Sequence, residues 1–101
     1  MSDLNQRAAA VFAELAMWRR RIASEIADAI IAHTGEVTPR DVVGWWREYP
    51  YLLPERTAAI RIAREVLNDR ALRGELMCER RPMKPGYGQG AAANVYRRAG
   101  G

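Results

Sequence analysis

The sequence predicts a mainly helical domain closed by a small C-terminal β-hairpin. Three observations carry that prediction. No Gly or Pro occurs between Ser2 and Thr34, two later prolines stand where helices can open, and from Glu75 onward short alternating segments flank a stretch rich in Gly and Pro. The 101 residues are enough for one core, so residues 1–101 are expected to form a single domain.

Leu4, Ala8, Val11, Leu15, Trp18, Ile22, Ile26, Ala29 and Ile30 recur mainly three and four residues apart, which predicts one long helix over 3–33. Ser2 or Asp3 can cap its start, and Gly35 suits the left-handed position just past its end. Such a helix would be about 45 Å long, against a radius of gyration near 13 Å for a compact domain of this size. Residues 1–19 are therefore expected to overhang the core. They expose Leu4, Val11, Phe12, Leu15 and Trp18 as a candidate dimer interface, unless the helix bends near Trp18–Arg21 and folds back.

After a brief extended step at Glu36–Val37, Thr38 is a good N-cap, Pro39 fits the first helical position and Asp41 fits the acid of a capping box. The helix that follows carries Val42, Val43, Trp45 and Trp46 and should stop near Tyr49-Pro50. Trp45 and Trp46 point about 100° apart, so one can be core and the other partly exposed. Trp45 could cover Trp18 or the third helix. Tyr51-Leu52-Leu53-Pro54 makes a short apolar connection, and Pro54 opens a third helix over 54–72 that buries Ile60, Ala63, Val66 and Leu67 and is capped by Gly74. Leu76–Arg81 and Asn94–Arg98 read as two strands around a loop with two prolines and three glycines, giving a hairpin over 75–99.

The net charge of +4 is unevenly spread. Residues 1–33 balance four basic and four acidic groups, residues 34–52 carry −1, and residues from 53 onward carry ten basic against five acidic groups, or +5. Fifteen of the sixteen basic residues are arginine, Lys84 being the exception, and arginine favours planar two-point contacts. Positive charge concentrated in one half is the footprint expected of a nucleic-acid binder.

Catalytic chemistry has little to stand on, and no enzyme, cofactor or metal site is expected. His33 is the one histidine, placed where it can meet terminal carbonyls or the core, and Cys78, the one cysteine, alternates as a small buried hydrophobe would. One His and one Cys fall short of a zinc ligand set. Gly86-Tyr87-Gly88-Gln89-Gly90 lacks the helix and βαβ unit of a dinucleotide site, and no Gly-Lys-Ser/Thr follows. A disulfide scaffold is excluded by the cysteine count, and the N-terminus has no basic segment followed by an apolar one, so a cytoplasmic location away from membranes is expected.

The order of elements resembles the winged helix-turn-helix family of small bacterial, phage and plasmid regulators. The resemblance covers about residues 20–99 and rests on Thr38-Pro39-Arg40-Asp41-Val42-Val43, on Pro54 to Gly74, and on Gly74-Glu75-Leu76 leading to a hairpin that ends in Asn94-Val95-Tyr96-Arg97. The apolar, proline-bounded link between the second and third helices departs from the tight glycine-containing turn common there. The resemblance implies a third helix in the DNA major groove and a wing on the backbone or minor groove. Thr57, Arg61, Arg64 and Asn68 recur at i, i+4, i+7 and i+11 along one exposed line, and Arg and Asn can read guanine and adenine by two-point contacts. Arg56 and the free N–H groups at the helix start suit a phosphate. Arg80, Arg81, Lys84, Tyr87, Gln89, Arg97 and Arg98 are the wing candidates, and binding through the basic ones would be steeply salt-dependent. The expected function is sequence-specific binding of double-stranded DNA by a homodimeric transcriptional regulator. The competing expectation is a protein-interaction module, an inhibitor or adaptor of a host protein working through Trp46, Tyr49, Tyr51 and Leu52.

Overall fold

In a computed structural model, which describes residues 2–82 and 92–100, the chain forms α1 (Ser2–Thr34), α2 (Pro39–Glu48), α3 (Arg56–Leu72), β1 (Leu76–Pro82) and β2 (Ala92–Arg98). It is mainly helical with a two-stranded antiparallel hairpin, β1 pairing β2 from Leu76 opposite Arg98 to Pro82 opposite Ala92. No described helix is long and apolar enough to cross a membrane.

The helices begin and end where local chemistry says they should, with one exception. Gly35 takes φ +90° and Gly74 φ +79°, conformations open to glycine at little steric cost, and these close α1 and follow α3. Thr38 Oγ1 accepts from the Asp41 amide at 3.1 Å while the Asp41 carboxylate accepts from the Thr38 amide at 3.0 Å. This reciprocal box contributes about 1 kcal/mol to α2. The exception is α3, which starts at Arg56 with Glu55 as its N-cap, so Pro54 lies outside the helix it was expected to open. The Glu55 carboxylate accepts from the Ala58 amide at 3.1 Å and competes successfully for the capping position.

The core lies where the C-terminal half of α1 meets α2, α3 and the base of the hairpin. Ala23, Ala27, Ile30 and Ile31 of α1 face Val42, Val43 and Trp46 of α2 and Ala59, Ala63, Val66 and Leu67 of α3. Ile60, expected in that face, is only half-buried, because Ala59 takes the position against the core. Trp46 is fully buried and its indole N–H donates to the Tyr51 carbonyl at 2.8 Å, so its polar edge is satisfied while its rings fill the centre. Trp45, one position back, is exposed beside His33 with ring centroids 6.4 Å apart. His33 is exposed as well.

Two features join the hairpin to the helices. Val37 and Tyr96 form an antiparallel bridge with both backbone bonds at 2.8 Å, placing β2 between β1 and the link from α1 to α2. Tyr96, buried to 1% exposure, donates its hydroxyl to Asn68 Oδ1 on α3. The sheet contributes Leu76 and Tyr96 to the core. Cys78, opposite Tyr96, is exposed rather than buried as its alternation suggested, because at that level β2 rather than β1 lies against Val37 and α3.

α1 continues unbroken through Trp18–Arg21, so it does not bend back over the domain. Residues 3–14 are all exposed, Leu4 to 73% and Phe12 to 69%, and the molecule extends 53 Å along its longest axis.

Candidate nucleic-acid interface

α3 buries one side and presents another whose cations are unpaired. Arg56, Thr57, Arg61 and Arg64 are all exposed on the side away from Ala59, Ala63 and Leu67. None of the three arginines makes an ion pair or hydrogen bond among the described residues. With Ile60, Glu65 and Asn68 they line a shallow depression of about 520 Å³. Acidic groups on the neighbouring edge of the helix are occupied from elsewhere. Arg20 of α1 bonds Glu65 at 3.0 Å and also pairs with Asp69. Arg61 is thereby left without its i+4 partner, Glu65, which the sequence alone offered it.

Two expectations on this helix change. Asn68 is exposed, but its Oδ1 is engaged by the Tyr96 hydroxyl, so a two-point contact with adenine is closed while that bond is made. Its amide nitrogen remains a donor, and the residue ties β2 to α3. The N-terminus of α3 is not an open phosphate site, because the Glu55 carboxylate already accepts from the Ala58 amide there. Arg56 keeps its own exposed guanidinium.

The register divides the hairpin arginines by face. Paired residues share a face of an antiparallel ladder and alternate along it. Leu76, Cys78 and Tyr96 define the face turned to the core and α3, and Arg80 opposite Asn94 lies on it. Arg81 opposite Ala93, and Arg97 opposite Met77, lie on the other face. Arg81 Nη1 reaches both Glu36 carboxylate oxygens at 2.8 Å and Nη2 reaches Glu79 at 3.0 Å. Arg81 is thus a clamp between the hairpin and the link before α2. Arg80, Arg97 and Arg98 are exposed and make no ion pair among the described residues, Arg98 standing at the far end of β2 beside Gly35 and Ile31. Lys84, Tyr87 and Gln89 lie outside the described residues.

The electrostatics follow these contacts. Hydrogen bonding from Arg81 holds the Glu79 carboxyl below its ordinary range, and the bonds to Glu79 and Glu36 push the Arg81 guanidinium up. Burial, followed by the neighbouring Cys78, pushes the Tyr96 phenol up and keeps it a neutral donor to Asn68.

Arg70 is the most enclosed of the paired arginines. Its side chain, 12% exposed, donates to Ser24 Oγ at 3.3 Å and to Glu75 at 3.2 Å, and lies 2.8 Å from Asp28 Oδ1. Asp28 Oδ1 makes no well-directed hydrogen bond among the described residues, so charge attraction alone compensates its burial. The positioning roles of Arg20, Arg70 and Arg81 were missed in the sequence, where only Arg81 stood out, and as a nucleic-acid contact. Asn94 on the α3-facing side was also missed, although its place two residues before Tyr96 was a usable signal.

Of the residues proposed for partner capture, Trp46 is withdrawn into the core, whereas Tyr49 and Tyr51 are exposed and Leu52 is half-buried. Among the described residues no group of three or more His, Cys, Asp or Glu is placed to hold a metal ion. No family model, curated protein or solved structure matches the chain.

Proposed function

We propose that this protein is a winged-helix, sequence-specific binder of double-stranded DNA, a transcriptional regulator that acts as a homodimer. The observation that carries the reading is the set of exposed, unpaired arginines on α3, Arg56, Arg61 and Arg64, beside two carboxylates, Glu65 and Asp69, that are paired with Arg20. α3 enters the major groove with Arg61 and Arg64 toward base edges, where a guanidinium can meet guanine O6 and N7 together. Thr57 and Arg56 contact backbone at the leading end. Arg80, on the α3-facing side of the hairpin, meets the phosphates beside the groove. The bridge from Val37 to Tyr96 supports the winged-helix reading, since it ties the extended link between the first two helices to the terminal hairpin. The second copy is held through the overhanging half of α1.

Selection of genomic fragments by the purified protein at about 0.15 M salt tests this directly. A recurrent, roughly palindromic site bound well above random duplex is expected. Arg61→Glu combined with Arg64→Glu should lower affinity for that site by about a hundredfold or more. Binding no stronger than to random duplex would refute sequence-specific recognition.

A further inference from the structure

α1 carries two different apolar faces. Ala23, Ala27, Ile30 and Ile31 are buried against the domain's own core. Leu4, Ala8, Val11, Leu15 and Trp18 follow a separate line, spaced four, three, four and three residues apart. At 3.6 residues per turn this second line is rotated roughly a third of a turn from the first. It is therefore a seam in its own right, with the alternating repeat of a coiled coil. Leu4, Val11 and Trp18 are exposed along it, and the repeat stops being free at Ile22, which packs on the core.

We infer that the seam pairs with the same seam of a second copy as an antiparallel two-helix coiled coil, Leu4 facing Leu15 and Ala8 facing Val11 of the other chain. The inference rests on the homodimer reading and specifies its geometry. Layer sizes favour it, because each layer pairs residues whose volumes complement one another, Ala8 with Val11 and Leu4 with Leu15. In a parallel pair Ala8 would meet Ala8 and leave a gap, while Trp18 would crowd Trp18.

Charge points the same way. Arg7 and Glu14 lie on one flank of the seam, two turns apart and out of each other's reach, and neither makes an ion pair among the described residues. Reversing the partner brings Arg7 of each chain against Glu14 of the other, two attractive pairs from one self-complementary edge. A parallel partner would set Arg7 against Phe12, and would need Arg19 for Glu14. The Arg19 Nε already donates to the Leu52 carbonyl at 2.9 Å. The paired stretch, residues 4–15, is nearly the whole exposed overhang. Short as it is, it is already wound as the continuation of a helix rooted in the core, so association does not bear the cost of helix nucleation.

Sedimentation of the full chain without DNA tests the pairing independently of DNA recognition. The unaltered protein should be a dimer and Val11→Glu a folded monomer, since Val11 lies outside the core. Arg7→Glu and Glu14→Arg should each weaken dimerisation roughly fivefold to tenfold, and the two together should restore it to within about twofold. Failure of the double reversal to recover would overturn the antiparallel register and leave the homodimer standing. A wild-type monomer, or a Val11→Glu dimer, would overturn both.

Discussion

The arginines of α3 and those that surround it solve opposite problems. Arg70, near the C-terminal end of the helix, is enclosed by Ser24, Asp28 and Glu75, and Arg20 and Arg81 likewise meet carboxylates from distant parts of the chain. Arg56, Arg61 and Arg64, about two to four turns earlier on the same helix, face solvent and form no ion pair among the described residues. A net charge of +4 conceals this division. Charges that hold elements together are engaged locally, whereas one face of α3 and the hairpin keep exposed arginines without ion pairs among the described residues. Residual charge after pairing, rather than total charge, marks the surface able to attract a polyanion.

The comparison is sharpest when one residue from each set is removed. Arg70→Ala should destabilise the protein by about 1 kcal/mol in urea unfolding, because it leaves the buried Oδ1 of Asp28 without its counter-ion, a cost moderated by the partial exposure of the Asp28 and Glu75 side chains. Affinity for the selected DNA site, measured well below the transition, should stay within about twofold. Arg64→Ala should do the reverse, changing stability by less than about 0.5 kcal/mol while weakening specific binding about tenfold. If both variants lost stability and affinity together, the two sets would not be separable.

A smaller contrast lies across the hairpin. Arg80→Ala should reduce DNA affinity severalfold and flatten the log–log salt dependence by about one phosphate contact. Arg81→Ala should leave that slope unchanged, since its guanidinium is directed to Glu36 and Glu79. Equal slopes for both variants would mean that the register does not decide which arginine meets phosphate.

The smallest effect is a proton. With its folded value below the ordinary 4.5, Glu79 contributes stability that is present above about pH 4.5 and disappears as pH falls through the lower folded value. An NMR titration should show the Glu79 carboxyl moving back toward the ordinary value in Arg81→Ala. No change there would remove Arg81 as the cause.

Much of the fold was legible in local grammar. The long first helix, the box at Thr38 and Asp41, the glycines after α1 and α3 and the hairpin all follow from residues within a few positions of one another. Where two local signals competed, as with Pro54 and Glu55 at the start of α3, pattern alone could not choose. The same limit applies to Trp45 and Trp46: helical periodicity separates their directions, but only the placement of α3 and the Tyr51 carbonyl decides that Trp46 is the core residue. The line Thr57–Arg61–Arg64 was legible because it depends on helix period. Its freedom from partners was not, because Glu65 is claimed by Arg20 from a helix far away in sequence. The partners of Asn68 and Arg81 were not legible for the same reason, since Tyr96 and Glu36 lie far from them along the chain.

The bridge between Val37 and Tyr96 also orders the assembly of the molecule in time. The three helices meet first, although α1 and α3 must already close a loop that contains all of α2. Val37 must wait for a strand from the other end of the domain, and closing so long a loop carries a larger entropic cost than any step before it. The hairpin's connection to the helices is therefore expected to form late in folding.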